Sequence, residues 1–280
     1  MMKGKTVVVT GANSGIGYES ALAIARMGAK VIMTARDEKR GQEALASVRS
    51  KAMNDNVELI LCDFSSLKQV RALADEIIKK CPKLDVLVNN AGKIFGSRML
   101  TQDGFEWTFG VNHLAPFLLT NLLLPLLKKS VPSRVVNTAS VAHNFGHINF
   151  DDIMSEKGYN DMKAYSQSKL ANVLFSLELS KRLQGAGVTS NSLHPGVVNT
   201  HFAESGSAVN NWFYKVFGFM MESPASGART TVYLATSKDV EGVTGKYFSG
   251  RKVSKTSREG ADEAVALKLW ELSGKLTGIK

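Results

Sequence analysis

Short runs rich in Val, Ile, Leu and Thr recur along this chain of 280 residues and alternate with stretches of helical periodicity. Runs so uniformly apolar are typical of strands that are covered on both faces, as in parallel sheets. They lie at Thr6 to Thr10, Val31 to Thr34, Val57 to Leu61, Val86 to Asn89, Arg134 to Thr138, Thr189 to His194 and Lys246 to Phe248. The amphipathic stretches between them predict helices that connect parallel strands, for example Ile16 to Arg26, Leu67 to Lys80 and Ala164 to Gln184.

This alternation predicts an α/β fold of the doubly wound, Rossmann-like kind. We expect one domain over residues 1–280, with a parallel sheet of about seven strands and helices on both of its faces. With 44% hydrophobic residues, a chain of this length can bury a substantial core.

Three glycines fall in the predicted turn between the first strand and the first helix. Glycine allows positive φ and close backbone approach, and the helix that follows offers unpaired N–H groups to a pyrophosphate. An ordinary tight turn is the alternative, but the place after the first strand of an alternating pattern favours a dinucleotide site. The predicted cofactor-binding residues of this turn are Gly11, Asn13, Ser14, Gly15, Ile16 and Gly17.

The end of the second strand bears on which dinucleotide binds. A 2′-phosphate on the adenosine ribose favours a cation there, whereas a free 2′-hydroxyl favours a carboxylate. Counting from Gly28, the strand-end position is Ala35 and Arg36 follows it. We therefore predict NADP(H), with Arg36 beside the phosphate. Two alternatives stay open: Arg36 pairs with Asp37 or Glu38 at the surface, or a one-residue shift makes Asp37 the ribose ligand of NAD(H).

Asn90, Ala91 and Gly92 follow the fourth predicted strand, at the edge where open α/β sheets bind ligands. An Asn-Ala-Gly sequence could also be a simple turn. Beside the glycine-rich turn it indicates a loop that lines the cofactor.

Tyr165 and Lys169 stand four residues apart in a predicted helix and so lie on one face of it. Free tyrosine has a pKa of about 10, so a neighbouring ammonium is needed to favour the phenolate near neutral pH. Ser140, just beyond the fifth predicted strand, is placed to hydrogen-bond the same substrate oxygen. Together the three side chains predict hydride-transfer chemistry with Tyr165 as general acid and base.

The order of these motifs resembles the short-chain dehydrogenase/reductase family, from Lys3 to about Phe248. The resemblance implies that Asn112 completes a catalytic tetrad by holding a water that links Lys169 to a proton relay, and that Lys169 also binds the nicotinamide ribose. It implies further cofactor contacts from Asp63, Phe64, Asn90, Pro195, Gly196, Val198 and Thr200. The sequence by itself gives Asn112 no role, and a helix-bending or capping asparagine is the alternative.

Three longer runs resemble the retinol dehydrogenase-like branch of that family, which includes the WW-domain oxidoreductases. They are Tyr165 to Phe175, Leu193 to Val198 and Thr244 to Ser249. The branch implies NADP(H) and a lipophilic alcohol or carbonyl substrate. The family implies a homodimer or homotetramer built on the helices that hold Asn112 and Tyr165.

The formal net charge of +10 raises the question of a polyanionic partner. The densest basic cluster lacks the interleaved aromatic residues of a single-strand stacking platform; it comprises Arg251, Lys252, Lys255 and Arg258. We therefore predict a solvated basic face and no specific nucleic-acid partner. His143 and His147 are four residues apart in a loop with no evident third ligand, so no metal site is predicted.

Three features predict a soluble, cytoplasmic protein. Cys62 and Cys81 have no metal-like spacing, which indicates a reducing compartment. No apolar stretch is expected to reach the roughly 18 residues of a membrane span, and a strand begins too near the N-terminus to leave room for a signal peptide.

Residues 201–222, rich in aromatic side chains and methionine, have two interpretations. They form either a packed helix or a substrate lid whose apolar face admits a hydrophobic carbonyl compound. We favour the lid, because the segment directly follows the predicted nicotinamide loop. The same surface is a weaker candidate for peripheral contact with a membrane.

The sequence thus predicts an NADP(H)-dependent oxidoreductase that interconverts a lipophilic alcohol and its aldehyde or ketone. The alternative is a catalytically silent NADP(H)-binding sensor or scaffold protein. The joint presence of Ser140, Tyr165 and Lys169 favours the enzyme.

Overall fold

The computed structural model describes residues 2–196 and 223–279. In this part of the chain the strands are β1 (Thr6–Val9), β2 (Lys30–Ala35), β3 (Val57–Leu61), β4 (Val86–Asn89), β5 (Ser133–Thr138), β6 (Val188–His194), β7 (Tyr247–Ser249) and β8 (Lys252–Ser254). They form one sheet in the order β3-β2-β1-β4-β5-β6-β7-β8. The pairs among the first seven strands are parallel, so the predicted α/β fold is confirmed.

Helices cover both faces of this sheet. Those in the described residues are α1 (Gly15–Arg26), α2 (Glu38–Ala52), α3 (Leu67–Lys80), α4 (Trp107–Lys128), α5 (Asp161–Arg182), α6 (Pro224–Thr236) and α7 (Glu263–Thr277). Successive side chains of a strand point to opposite faces. Val7 and Val9 accordingly pack in a core with α1, α2 and α6, whereas Val8 packs in a second core with α3, α4 and α5.

The strand order places a ligand crevice at one edge of the sheet. β1 lies beside β4 although β2 and β3 come between them in sequence, so the order reverses at this point. Open α/β sheets bind ligands outside the carboxyl ends of the strands at such a reversal. The backbone N–H of Thr10 donates to the carbonyl of Val88 at 3.0 Å, which holds the ends of β1 and β4 together.

Strand β8 was not predicted from the sequence. It pairs antiparallel with β7 at the edge of the sheet. Gly250 and Arg251 join the two strands with φ angles of 56° and 65°, as in the hairpin turns that match strand twist. Lys252 and Val253 are exposed, and three residues are too few to show an alternating pattern.

Helix α4 corrects the predicted location. It spans 22 residues, and the mean hydropathy of its most apolar 18-residue window is 1.4, so by length and composition it could cross a membrane. The prediction that no apolar stretch reaches this length is wrong. The predicted soluble, cytoplasmic location depended on it and is therefore wrong as well. Asn112 and His113 interrupt the apolar run, and for this reason the sequence was not expected to form a long apolar helix. No charged residue precedes Lys128 in the helix, however. In the fold, 78% of this 18-residue window is buried inside the protein. A buried core helix can have the same length and hydropathy as a membrane-spanning helix.

Helix α7 packs across α4 and α5. The ring of Trp270 lies 4.9 Å from that of Phe117 on α4 and 5.8 Å from that of Phe175 on α5. The Arg182 guanidinium lies 4.5 Å over the Trp270 ring. The family resemblance predicts a homodimer or homotetramer through α4 and α5. That remains a prediction, and α7 already packs against both of these helices within the chain.

We expect α4 to contribute strongly to the stability of the fold. Leu119 of α4 is fully buried, whereas Leu267 of α7 is 42% exposed. Leu119→Ala should lower the free energy of unfolding by about 2–5 kcal/mol because it leaves a cavity. Leu267→Ala, the matched helical control, should lower it by less than about 1 kcal/mol. Urea denaturation followed by circular dichroism measures both, and equally small losses would contradict the burial of α4.

Candidate active site

The glycine-rich turn between β1 and α1 passes very close to the end of β4. Gly11 and Gly15 adopt positive φ angles of 63° and 57°, which favour glycine. A Cβ atom on Gly17 would collide with the carbonyl oxygen of Gly11 and with the side-chain amide of Asn90. The sequence therefore needs glycine at these positions for the backbone to follow this path.

Side chains from neighbouring strand ends fix this turn. The hydroxyl of Thr10 accepts hydrogen bonds from the backbone N–H groups of Asn90 (2.9 Å) and Ala91 (3.0 Å). The side-chain amide of Asn90 donates to the carbonyls of Thr10 (2.9 Å) and Gly11 (3.3 Å). The hydroxyl of Thr34 accepts from the Gly11 N–H at 3.1 Å. Asn90 and Ala91, predicted to line the cofactor, thus shape the turn, together with two threonines that sequence reasoning missed.

The start of α1 suits a dinucleotide pyrophosphate. The helix begins at Gly15, and its N-cap residue, Ser14, accepts no hydrogen bond from the helix through its side chain. The first backbone N–H groups are thus left without a side-chain cap, and the helix dipole favours an anion there. Asn13 and Ile16 are half-buried on either side. Two features of this turn therefore fit an NAD(P) cofactor. The glycine backbone has no room for a Cβ atom at Gly17, and the N-terminus of α1 has no side-chain cap.

The ends of β2 and β3 carry the residues predicted for the adenosine side. Arg36 is exposed directly after β2, and within residues 2–196 and 223–279 it forms no ion pair with Asp37 or Glu38. The carboxylate of Asp37 instead accepts a hydrogen bond at 2.8 Å from the first turn of α2. After β3, the Asp63 carboxylate accepts a backbone hydrogen bond at 2.9 Å within its own loop, and Phe64 is buried.

The structure brings together the three side chains predicted for proton transfer. Tyr165 and Lys169 lie one turn apart on α5 and are 5% and 2% exposed. A hydrogen bond joins the hydroxyls of Tyr165 and Ser140, which follows β5. The Lys169 ammonium donates to the carbonyl of Thr138 at 3.2 Å and lies 5.5 Å from the centroid of the Tyr165 ring.

Burial sets the protonation of this pair. Burial raises the pKa of Tyr165 well above its ordinary value, and the hydrogen bond with Ser140 opposes this rise. Burial also lowers the pKa of Lys169 to about 8. The sequence predicted that the ammonium would make the phenol more acidic. In this structure the phenol is less acidic than usual, because the loss of water outweighs the nearby polar groups.

Asn112 lies beside Lys169 in a π-helical turn of α4 at Gly110–Leu114. Its side chain accepts from the N–H of Lys93 at 2.9 Å and donates to the hydroxyl of Ser168 at 3.1 Å. A Cβ on Gly92 would lie 2.9 Å from the Asn112 side-chain oxygen and 3.5 Å from the Lys169 ammonium. Gly92 thus lets the loop after β4 approach both residues.

Apolar side chains surround the phenol of Tyr165. Ile94 and Ala142 are buried against it, and Met162 is partly buried at the same place. Burial raises the pKa of Tyr247 on β7, and the nearby Tyr165 adds to the rise. The surroundings of the predicted proton donor are therefore largely apolar.

The loop after β6 is described only in part. Pro195 and Gly196, predicted to contact the nicotinamide, are half-buried, and Gly196 has a φ of 96°. Val198, Thr200 and the predicted lid at 201–222 lie outside the described residues.

The two histidines singled out in the loop after β5 have separate partners. The ring of His143 is buried and its Nδ1 lies 2.6 Å from the carbonyl of Ser140. The Nδ1 of His147 lies 2.9 Å from a carboxylate oxygen of Glu259. His143 thus packs behind the residue predicted to polarise the substrate.

The comparison with protein families agrees with this geometry. The family model described as short chain dehydrogenase matches residues 5–210, from β1 to beyond α5 and β6. The chain belongs to this family. It is therefore an oxidoreductase that binds NAD(P) and acts on CH–OH groups.

Relatives at the level of sequence include human retinol dehydrogenase 14, which is 45% identical over 295 residues, covering 100% of this chain and 88% of that protein. Human retinol dehydrogenase 13 is 45% identical, with coverage of 99% and 86%. The chain thus belongs to the retinol dehydrogenase-like branch of the short-chain dehydrogenases. This confirms the prediction made from the runs Tyr165 to Phe175, Leu193 to Val198 and Thr244 to Ser249.

Solved structures show the same fold. An uncharacterized protein from Mycobacterium paratuberculosis has a TM-score of 0.79 and 37% identity, covering 99% of this chain and 94% of that one. The RhlG/NADP active-site complex of Pseudomonas aeruginosa has a TM-score of 0.71 and 26% identity, with coverage of 94% and 97%.

Gly17→Ala should weaken dinucleotide binding by about tenfold or more, because the added methyl group displaces the glycine-rich turn. Gly185→Ala is the control, since Gly185 lies in the turn before β6, at the opposite edge of the sheet, and its added methyl would meet no described atom within 4 Å. Titration of each protein with NADPH and NADH, followed by nicotinamide fluorescence, measures the difference. Equal affinities in the two variants would contradict the assigned role of the turn.

Proposed function

We propose that the chain is an NADP(H)-dependent oxidoreductase that interconverts a lipophilic alcohol and its aldehyde or ketone. The observation that carries the proposal is the arrangement of Tyr165, hydrogen-bonded to Ser140 and one helical turn from Lys169, at the same carboxyl edge of the sheet as the glycine-rich turn. The apolar neighbours of Tyr165 support a lipophilic substrate of the retinoid, steroid or carbonyl type. The names of the retinol dehydrogenase relatives point the same way.

Tyr165 transfers the proton in this proposal. The bound dinucleotide supplies or accepts the hydride. In reduction the Tyr165 hydroxyl donates its proton to the carbonyl oxygen, and Ser140 hydrogen-bonds the same oxygen. Because burial keeps the pKa of Tyr165 high, the phenol is protonated at neutral pH, which suits the reductive direction. In oxidation the phenolate accepts the alcohol proton, and the ammonium of Lys169 stabilises it.

Two observations support NADP(H) over NAD(H). Asp37, the alternative ribose ligand, already accepts a hydrogen bond from α2 through its carboxylate. Arg36 extends from the end of β2 without an ion pair to a described residue. A guanidinium in this position is suited to a 2′-phosphate.

The alternative function is an NADP(H)-binding sensor or scaffold without turnover. A protein of that kind has no need for a phenol, a hydroxyl and an ammonium buried together at the carboxyl edge of the sheet. Burial of ionisable groups opposes stability, so their retention here favours the enzyme.

Arg36→Ala should raise the KM for NADPH by about tenfold or more through loss of a charge-assisted contact with the 2′-phosphate, while the KM for NADH changes little. Arg40→Ala is the matched control, since Arg40 is also exposed and lies four residues further along. Initial rates with both cofactors measure the effect. An Arg36 variant with the cofactor preference of the original protein would contradict the assignment.

Tyr165→Phe should reduce kcat by at least about a hundredfold, because the proton donor is lost, with dinucleotide affinity nearly unchanged. Tyr233→Phe on α6 serves as control, since that residue packs in the core on the opposite face of the sheet. A screen of aldehydes and ketones with NADPH, followed by absorbance at the nicotinamide band, provides the rates. Cofactor binding with no turnover of any carbonyl, and no effect of Tyr165→Phe, would favour the sensor.

A further inference from the structure

A buried line of polar side chains runs from α7 towards Lys169. It comprises Ser273 of α7, His113 of α4 and Asn172 of α5, which are 0%, 1% and 5% exposed. Polar groups buried this deeply destabilise a fold unless they are hydrogen-bonded. The proton transfer proposed for Tyr165 uses none of the three.

The orientation of Asn172 follows from its neighbours. Its side-chain nitrogen donates to the backbone carbonyl of Asn112 at 2.9 Å and to that of Thr138 at 3.1 Å. Carbonyls only accept, so the nitrogen must face them and the oxygen of the Asn172 amide must face His113. The Thr138 carbonyl also accepts from the Lys169 ammonium at 3.2 Å. Asn172 therefore joins the π-helical turn of α4 to the end of β5, whose last carbonyl is the acceptor of Lys169.

The tautomer of His113 follows in turn. Its Nδ1 lies 3.4 Å from the Asn172 side-chain oxygen, and its Nε2 lies 2.8 Å from the Ser273 hydroxyl. Because the amide oxygen only accepts, Nδ1 carries the hydrogen and Nε2 accepts from Ser273. Burial lowers the pKa of His113 to about 4, so the ring is neutral at physiological pH. Each member of the line thus donates to the next, from Ser273 to the carbonyl of Thr138.

We propose that Asn172 is a positioning residue for Lys169, held in its working orientation by His113 and Ser273. The inference rests on the proposed function, in which Lys169 supports the proton transfer of Tyr165. A carbonyl oxygen has two lone pairs, and at Thr138 one is taken by Asn172 and the other by Lys169. Asn172 thereby holds the Thr138 carbonyl in place, and this carbonyl in turn holds the Lys169 ammonium over the Tyr165 ring.

Asn172→Leu tests this role, since leucine has a similar volume but lacks both donors. We expect kcat to fall about tenfold, while the KM values for substrate and dinucleotide change less than about threefold. Asn121→Leu is the matched control on α4, because among the described residues the amide of Asn121 donates only to a carbonyl of its own helix, that of Phe117, at 2.8 Å. Its kcat should equal that of the original protein.

A second readout does not depend on turnover. The ε-carbon resonance of Lys169, observed in cofactor-free protein labelled with ¹³C-lysine and assigned with Lys169→Arg, reports its titration. In the original protein the midpoint should lie near the pKa of about 8. Asn172→Leu should raise this pKa by roughly half a unit to one unit, because the Thr138 carbonyl then accepts from the ammonium alone. Ser273→Ala should shift it in the same direction by a smaller amount.

The outcomes separate the two claims. Asn172→Leu with unchanged kcat and an unchanged Lys169 titration would overturn the positioning role. If that variant does not fold, an unshifted Lys169 titration in Ser273→Ala overturns it equally. If the original protein turns over no alcohol or carbonyl compound, the proposed function fails, and the titration alone decides the role of Asn172.

Discussion

The exclusion of water from Tyr165 and Lys169 is the constraint on which the rest of this structure depends. Helix α5 is buried on nearly every side, by the sheet and by α4 and α7. Two ionisable groups on such a helix favour their neutral forms unless protein groups replace water. The Ser140 hydroxyl and the Thr138 carbonyl do so in part. The proton transfer proposed for Tyr165 therefore relies on the packing of α4 and α7 as much as on the reacting side chains.

The fold was largely predictable, because its signals are local. Each buried parallel strand needs an apolar run, and each crossover needs an amphipathic helix, so β1 to β7 could be recognised from the chain. Two features were not recognised. Strand β8 is set by a two-residue turn and by pairing with β7, and its three residues, two of them exposed, are too few to show a pattern of their own. In helix α4, the polar residues Asn112 and His113 break the apolar pattern of the sequence. In the fold both are buried and hydrogen-bonded to other helices.

The candidate site likewise contains residues that the sequence could predict and residues that it could not. Gly11, Gly17, Tyr165 and Lys169 could be predicted, since a turn beside a strand and a four-residue helical spacing fix their relative positions. Thr10 and Asn172 could not, because their partners come from β4, α4 and β5, far away in sequence. The direction of the Tyr165 pKa shift was also beyond the sequence. It depends on how completely the surrounding helices exclude water, which only the packed structure shows.

Direct transfer of hydrogen between dinucleotide and substrate tests the account most directly. The protein would be incubated with NADPH that carries deuterium at both hydrogen positions of the nicotinamide C4 and with a hydrophobic aldehyde or ketone, and the product would be examined by mass spectrometry. The account predicts an alcohol with one deuterium on the former carbonyl carbon and a hydroxyl proton taken from solvent. An alcohol without that label, or bound dinucleotide with no product from any carbonyl compound, would contradict it.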